Sequence, residues 1–363
     1  MGARQRALRR TLHPLYRRLE TDLHPLRYLF VEITQRCNLA CRHCGSDCGR
    51  ELRQGELSTE EWLRFFAYLP QHFDKRKLVL VVTGGEPLCH PELDRLVAGI
   101  EAQGLRWGMV SNGWHLSPER LARLLDLGLC SLTISLDGLA RWHDWLRGRP
   151  GSFQRALRGI AAAVASQRCF IDVVTCVHPG NMEDLPALYG LLQDLGVPAW
   201  RLFAIFPKGR AVDQAELRLG AEEMRRLFRF IGEARRTTPP GFVVHFGCEG
   251  YLPQEWDVGV RDEPYFCRAG ICIASVLSDG AIAACPNICR TLSQGNVRQD
   301  DFAQVWAERY QVFRDRSWMQ RGDCAGCSEW GRCLGNSMHL WDSEQQRTQC
   351  CHYAMLRGHD PLA

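Results

Sequence analysis

Three cysteines within one short segment are the first residues of this sequence whose type and spacing suggest chemistry. Cys37, Cys41 and Cys44 follow an apolar run and have three and then two residues between them. Thiols so close along the chain cannot all face a core, but a loop can wrap them around an iron–sulfur cluster. Three thiolates on a cluster of four irons leave one iron open, where a small molecule can chelate through amino and carboxylate groups. A structural zinc site is the alternative, with His43 or Cys48 as the fourth ligand.

A second group of cysteines lies near the C-terminus. Half of the 18 cysteines of the chain fall between residues 267 and 351. In a reducing compartment such short spacings indicate metal ligation instead of disulfides. Residues 266–363 are therefore predicted to form a small domain built around metal, with a zinc-ribbon-like site as the alternative to iron–sulfur clusters. The cysteines of this group are Cys267, Cys272, Cys285, Cys289, Cys324, Cys327, Cys333, Cys350 and Cys351.

The elements that would position the first cysteines alternate along the chain. Six short apolar runs and five longer amphipathic segments share the stretch up to about residue 206, which predicts βα units and a parallel sheet. Because a closed barrel needs eight such units, a partial, open barrel is predicted. The predicted strands are 28–33, 78–83, 107–111, 131–136, 170–177 and 200–206, and the predicted helices are 58–69, 91–103, 117–127, 152–166 and 182–195.

Four motifs fall at the ends of the first four predicted strands, where parallel barrels collect their chemistry. They are the cysteine segment, Thr83-Gly84-Gly85-Glu86-Pro87, Ser111-Asn112-Gly113 and Ser135-Leu136-Asp137-Gly138. Each of the last three alone is also compatible with a tight turn or a helix cap. Together and in this order, over about residues 28–210, they resemble the radical S-adenosylmethionine (radical SAM) superfamily. The resemblance implies an α/β fold, a partial (β/α)6 TIM-like barrel, with a small cysteine-rich C-terminal iron–sulfur domain.

The resemblance also implies a role for each motif. Cys37, Cys41 and Cys44 would be the catalytic metal ligands of a 4Fe-4S cluster, with S-adenosylmethionine as the second cofactor. The reaction would be reductive cleavage of the sulfonium, giving a 5′-deoxyadenosyl radical that removes hydrogen from a substrate. The Gly84 motif would bind the methionine amino group, Ser135 would face the ribose, and Arg147 would lie near the carboxylate. The full set of cofactor-binding residues would be Gly84, Gly85, Glu86, Pro87, Ser111, Asn112, Ser135, Asp137 and Arg147.

The C-terminal cysteines resemble the SPASM domain, which usually binds two auxiliary clusters. Cys267, Cys272 and Cys285 would hold the first cluster. Cys324, Cys327 and Cys333, with Cys350 or Cys351, would hold the second. The family's cysteine four residues after Cys333 is here Ser337, which removes the usual fourth ligand of the first cluster. That cluster would then have an open iron, take a substitute ligand such as Cys289, or be absent.

Composition limits the partners of the chain. The formal charge of +4 comes almost wholly from arginine, so it does not indicate a nucleic-acid partner. No apolar run is long enough to span a membrane, and Arg9-Arg10 is not followed by the apolar segment of an export signal. We therefore expect a cytoplasmic protein. Residues 1–27 carry seven arginines and predict a basic surface helix packed on the barrel, with docking to an acidic peptide or a membrane surface as the alternative.

The domains expected from these patterns are the basic helical extension at 1–27, the barrel at 28–215, a helical and strand linker at 216–265, and the auxiliary domain at 266–363. In this superfamily the auxiliary domain most often accompanies modification of a peptide or protein. The leading hypothesis is therefore a maturase that modifies or crosslinks a peptide or protein. Pro286 stands where sulfatase maturases have aspartate, which disfavours formylglycine formation.

Two kinds of protein partner follow from the resemblance. One is an electron donor such as flavodoxin or ferredoxin. The other is a separate peptide-recognition protein, because the segment before the first strand is too short for a winged-helix recognition domain. A small-molecule enzyme acting on haem or another tetrapyrrole is the second hypothesis. A non-catalytic iron–sulfur or zinc protein is the third.

Overall fold

The structure is a computed structural model that describes residues 3–51, 55–247 and 250–357. Strands are short and most are bounded by turns. They are β1 (Tyr28–Glu32), β2 (Val79–Thr83), β3 (Arg106–Ser111), β4 (Leu129–Ser135), β5 (Phe170–Val177), β6 (Ala199–Ala204), β7 (Val243–Phe246), β8 (Ile273–Val276), β9 (Ala281–Ala283), β10 (Gly295–Asn296), β11 (Trp341–Asp342) and β12 (Arg347–Thr348).

Helices occupy most of the connections. They are α1 (Ala3–Leu23), α2 (Thr59–His72), α3 (Leu93–Ala102), α4 (Pro118–Asp126), α5 (Ala140–Arg147), α6 (Ser152–Ser166), α7 (Leu185–Asp194), α8 (Ala221–Thr237), α9 (Gln254–Val260), α10 (Phe302–Glu308), α11 (Gln311–Arg314), α12 (Trp330–Cys333) and α13 (His352–Leu356). No helix within the described ranges is long and apolar enough to span a membrane.

The centre of the molecule is a ten-stranded sheet in the order β10-β9-β8-β1-β2-β3-β4-β5-β6-β7. Strands β1 to β7 are parallel and lie in chain order, so each βα unit adds its strand next to the preceding one. This confirms the predicted α/β fold with a partial barrel. The six predicted strands match β1 to β6 to within two residues. The stretch predicted as a linker, 216–265, supplies α8, the additional parallel strand β7 and α9.

Burial explains why these runs form inner strands. Leu29, Leu80, Trp107 and Trp200 are fully buried, as expected where helices cover a parallel sheet. Helix α2 begins at the predicted capping box, because the Ser58 hydroxyl accepts from the Glu61 amide and the Glu61 carboxylate accepts from the Ser58 amide. Because β1 to β4 are parallel neighbours, their carboxyl ends, with the four motifs, lie at one edge of the sheet.

The C-terminal region is joined to the barrel through the same sheet. Strand β8 pairs in parallel with β1, with Ala274 opposite Leu29. Strands β9 and β10 continue the sheet in antiparallel orientation. The proposed auxiliary domain at 266–363 therefore shares hydrogen bonds and core with the barrel.

Helix α1 lies against the C-terminal region. The Arg17 guanidinium donates to the carbonyls of Arg332, at 2.7 Å, and Gly331, at 2.6 Å. Arg10 pairs with the buried Asp257 at 3.0 Å. Buried Glu20 pairs with both Arg27 and Arg268. The polar side of the basic extension is thus fixed to segments that follow the barrel.

Candidate functional site

The cysteine segment forms a loop between β1 and α2. Its two arms pair with each other, since the Cys37 amide donates to the Gly49 carbonyl at 2.6 Å and the Gly49 amide to the Gln35 carbonyl at 3.3 Å. Cys37 and Cys41 are buried, and Cys44 packs against the same cluster of side chains. The loop therefore brings the three predicted ligands together.

Two glycines hold this loop against the end of β2. The Gly85 amide donates to the Thr34 carbonyl at 2.8 Å, and the Glu86 amide to the Arg36 carbonyl at 3.0 Å. A Cβ atom on Gly84 would lie 2.2 Å from the Thr34 carbonyl oxygen, and one on Gly85 would lie 2.5 Å from that of Arg36. Only glycine permits this approach. Within the described ranges the carbonyls of Gly84 and Gly85 accept no hydrogen bond, which leaves them available to a ligand.

Glu86 is fully buried and connects β2 to β3. Its Oε1 accepts from the Ser111 hydroxyl at 2.8 Å and the Leu88 amide at 3.2 Å, and its Oε2 accepts from the Asn112 amide at 2.7 Å. Burial raises the pKa of this carboxyl, although the three hydrogen bonds and Arg147 act in the opposite direction. A carboxylate has about four acceptor positions, so one position on Oε2 remains for a cationic ligand. Pro87 begins the short buried turn that follows.

The third and fourth motifs meet the loop from β3 and β4. The Asn112 side-chain amide donates to the Asn38 side chain at 2.9 Å and lies 4.0 Å from the Cys37 Sγ. Ser135 is the buried last residue of β4. Its hydroxyl has no hydrogen-bond partner in the part of the chain that the structure describes.

A buried ion pair follows at the end of β4. The Arg147 Nε donates to the Asp137 Oδ2 at 2.6 Å, and its Nη1 lies 3.8 Å from the Cys41 Sγ. Asp137 Oδ1 accepts from the Cys176 amide on β5 at 2.8 Å. Burial raises the pKa of Asp137, but the charges of Arg147 and nearby histidines outweigh it and bring the pKa to about 2. Arg147 therefore keeps a positive charge beside the predicted cluster ligand Cys41.

A fourth thiol lies in the same loop. Cys48 is only 2% exposed and belongs to the buried group around Cys37 and Cys41. A hydrogen bond from Cys48 lowers the pKa of Cys44, against the effect of burial. Burial raises the pKa of Cys37 to about 12, and the neighbouring thiols Cys41 and Cys44 add to the shift. Thiols lose their protons when they bind a metal, and the resulting thiolates are negatively charged. These closely spaced thiols are therefore suited to hold a cationic iron–sulfur cluster.

Sequence reasoning missed the segment that follows β6. The Arg210 Nε donates to the Cys41 carbonyl at 2.7 Å, and its amide donates to the Cys44 carbonyl at 3.0 Å. Lys208, from the same segment, donates through Nζ to the carbonyl of Asn287. Asn287 in turn lies beside Gly45 of the cluster loop. In the sequence, Lys208-Gly209-Arg210 stands four residues after the end of β6 and carries no motif that would predict these contacts.

The second auxiliary set contains Cys324, Cys327, Cys333 and Cys351. Burial raises the pKa of Cys333 to about 12, and the nearby thiols of Cys351, Cys324 and Cys327 add to this effect. Burial, Cys351 and Cys327 likewise raise the pKa of Cys324. The Cys350 Sγ instead lies 4.0 Å from the His352 Nε2. We therefore expect Cys351, and not Cys350, to be the fourth member of this set.

The first auxiliary set contains Cys267, Cys272 and Cys285. Each of Cys272 and Cys285 lies close enough to Cys267 for that thiol to raise its pKa, in addition to burial. The Ser337 hydroxyl, at the position of the expected fourth ligand, is bonded to the Tyr265 hydroxyl at 2.7 Å and the Gly250 amide at 3.2 Å. Because the Ser337 hydroxyl is already hydrogen-bonded to protein groups, we expect the first auxiliary set to consist of three thiols.

Comparison with known proteins decides the family. The description "Radical SAM superfamily" matches residues 31–192, and "Iron-sulfur cluster-binding domain", the SPASM domain, matches residues 267–328. The chain belongs to the radical SAM superfamily. It is an enzyme of the SPASM-containing group, so a 4Fe-4S cluster, S-adenosylmethionine and auxiliary iron–sulfur clusters are its cofactors, as the sequence predicted.

Relatives of this radical SAM enzyme include different activities. It is 31% identical to the mycofactocin maturase MftC of Mycobacterium ulcerans, covering 85% of this chain and 81% of the relative. It is 26% identical to the PqqA peptide cyclase of Rhizobium meliloti, covering 94% and 90%. It is also 26% identical to the AdoMet-dependent heme synthase of Nitratidesulfovibrio vulgaris, covering 94% and 96%. The Streptococcus suis SuiB structure shares the fold, with a TM-score of 0.70, 16% identity, and coverage of 93% and 78%.

Substitution of Gly85 by alanine tests how the cluster loop is held. The new Cβ meets the Arg36 carbonyl and forces the loop away from β2, at a cost of about 1–3 kcal/mol. We expect Gly85→Ala to lose most of the iron of the catalytic site after anaerobic reconstitution, measured as iron per chain in a background lacking the C-terminal cysteines. Gly49→Ala is the matched control, because no heavy atom lies within 4 Å of its added Cβ. Equal iron content in the two variants would disprove this account of the loop.

Serine substitutions at Cys350 and Cys351 test the ligands of the second auxiliary set. We expect Cys351→Ser to lose the four irons of one cluster, while Cys350→Ser keeps the iron content of the unmodified chain. Iron and sulfide analysis together with Mössbauer spectroscopy distinguishes these outcomes. The reverse pattern would place Cys350 among the ligands.

Proposed function

We propose that this radical SAM enzyme oxidatively modifies or crosslinks a peptide or protein. The single observation that carries the proposal is that residues 208–210 form a bridge between the proposed catalytic site and the proposed first auxiliary site. Residues 208–210 contact the cluster loop through Arg210 and reach the loop of Cys285 through Lys208 and Asn287. A substrate bound near this bridge is close to both the radical chemistry and an electron acceptor.

Contacts at the barrel edge support a role for each of the predicted site residues. Cys37, Cys41 and Cys44 are proposed to hold the catalytic cluster. The free carbonyls of Gly84 and Gly85 and the remaining acceptor position of Glu86 fit an ammonium group. The unpartnered Ser135 hydroxyl fits a ribose, and Arg147 supplies positive charge next to Cys41. When bound, cluster and S-adenosylmethionine supply a 5′-deoxyadenosyl radical that removes one hydrogen atom from the substrate.

An oxidative outcome requires a second electron to leave. A substrate that has lost one hydrogen atom holds an unpaired electron, and closing a new bond or double bond releases one further electron and one proton. The three-thiol set of Cys267, Cys272 and Cys285 is proposed as the route for that electron. Ser337 does not complete it in the structure, so the set retains a position for a substrate or solvent ligand.

The substrate class draws support from the relatives. The PqqA peptide cyclase and the mycofactocin maturase align with most of this chain, and the name of the first specifies a peptide. Haem-type tetrapyrrole chemistry is the second candidate, because the heme synthase aligns over 94% of this chain and 96% of its own length. Both substrate classes contain carboxylates, and the half-buried cation Lys208 at the bridge is proposed to bind one.

Competition between the two classes provides the direct test. The reconstituted enzyme, with dithionite and S-adenosylmethionine, is incubated with peptides encoded beside its gene or with iron porphyrins bearing carboxylate side chains. We expect a peptide to lose two hydrogens by mass spectrometry, with one 5′-deoxyadenosine formed per event. Turnover of a porphyrin with every peptide unchanged would replace the proposal by the second candidate.

Lys208 provides a test that depends on pH. Only three lysines occur in the chain, and burial lowers the pKa of this one to about 8. If its ammonium binds a substrate carboxylate, kcat/KM is highest while the lysine is protonated and falls as the pH rises above about 8. We expect Lys208→Ala to lower kcat/KM roughly tenfold to a hundredfold, the loss of a charged hydrogen bond.

Lys208→Arg is the matched control. Because a guanidinium stays charged, this variant should retain more activity than the alanine variant and lose the decline at high pH. Formation of 5′-deoxyadenosine without substrate should be the same in all three proteins. An unchanged kcat/KM in the alanine variant would remove Lys208 from the substrate site.

A further inference from the structure

The outer face of α1 carries a row of exposed leucines. Leu8, Leu12, Leu15, Leu19 and Leu23 are 60%, 49%, 57%, 50% and 73% exposed. Their spacing of four, three, four and four residues places them on one face of the helix, over about 22 Å of its length. Contiguous apolar exposure of this extent marks a binding surface. We call these five residues the leucine row.

The opposite face of α1 fixes the row in its outward position. Arg10 pairs with Asp257, Arg17 is bonded to two carbonyls, and Glu20 is paired with Arg27 and Arg268. Rotating the helix to bury the leucines would expose Glu20 and break these contacts. The row is therefore a fixed external surface of the folded chain.

The charge of the helix identifies the partner. Helix α1 contains six arginines (4, 6, 9, 10, 17 and 18) and two acids (20 and 22). Arg9 and Arg10 are paired with Glu263 and Asp257, so the positive charge available to a partner comes from the remaining arginines. Arg18 lies beside the row, is exposed and makes no ion pair among the described residues. A positively charged helix with an apolar outer stripe is typical of helices that lie in the surface of an anionic bilayer.

A groove next to the row strengthens this assignment. It has a volume of about 580 Å³ and is lined by residues that include Leu15, Arg17, Arg18, Asp22, Arg314 and Leu334. Arg17 and Arg314 donate to neutral backbone carbonyls, so their charges are not neutralised by paired carboxylates. Three cations and one acid, Asp22, therefore surround a space suited to a phosphate headgroup.

We propose that the leucine row and this groove dock the enzyme on a bilayer containing anionic phospholipids. The leucines enter the boundary between headgroups and acyl chains, and Arg18 and Arg314 contact lipid phosphates.

A second copy of the chain fits this face less well. In a two-fold pair the same basic helix would meet itself, and Asp22 would interrupt the apolar seam after two heptads.

Vesicle sedimentation tests the proposal without reference to the reaction. The anaerobically reconstituted full chain is mixed with vesicles of phosphatidylcholine alone or of phosphatidylcholine with phosphatidylglycerol. We expect the protein to sediment with the anionic vesicles only, and to be released by added salt. Arg18→Gln should weaken binding about fivefold. The double variant Leu12→Ser/Leu15→Ser should weaken it more than about tenfold.

Phe170→Ser is the matched control, since Phe170 is an equally exposed apolar residue at the start of β5. Iron content and thermal unfolding of every variant establish that it is folded. Absence of sedimentation with both vesicle types, equal binding to both, or equal loss of binding in the Phe170 variant would overturn the proposal. So would a lipid-free dimer, seen by light scattering, that the double leucine variant converts to monomer.

Discussion

The backbone pairing between residues 34–36 and residues 84–86 is the constraint on which the site depends. It extends the β1–β2 ladder beyond the strands and sets the cysteine loop directly on the glycines of the second motif. A Cβ at either glycine would collide with a carbonyl, so only glycine fits at these two positions. The loop packing therefore restricts the sequence here in addition to any requirement of ligand binding. The buried Glu86 then ties the same point to β3 through Ser111 and Asn112. One short region thus positions the first three motifs.

A second set of polar contacts closes the loop from the other side. Arg147 lies beside Cys41 while paired with Asp137, and Arg210 donates to the carbonyls of Cys41 and Cys48. Thiolates bound to iron would carry negative charge, which these two guanidinium groups would partly offset, Arg147 from a buried position and Arg210 from a partly exposed one beside Asp47. The same segment that carries Arg210 also carries Lys208 to the Cys285 loop. A few residues after β6 therefore connect the proposed catalytic and auxiliary sites.

Much of this arrangement was predictable from the sequence. The periodicity and the length of the apolar runs predicted the six barrel strands. The motifs at the ends of the first four strands predicted which loops would lie together. Contacts made by residues outside motifs were not predictable. Lys208 and Arg210 are ordinary cations in the sequence, and only the fold shows that Arg210 contacts the cluster loop and that Lys208 contacts Asn287. Strand β8 was missed as a neighbour of β1 because a parallel pairing across more than 200 residues leaves no local pattern. The choice between Cys350 and Cys351 likewise needed coordinates, since adjacent residues point in different directions.

Three thiols on one loop are proposed to bind a cluster whose open iron accepts S-adenosylmethionine. The most direct measurement is 5′-deoxyadenosine formation by the anaerobically reconstituted, dithionite-reduced enzyme, compared with a variant in which Cys37, Cys41 and Cys44 are alanine. We expect the unmodified enzyme to form 5′-deoxyadenosine and the variant, with its C-terminal cysteines intact, to form none. Equal formation by the two proteins would contradict it.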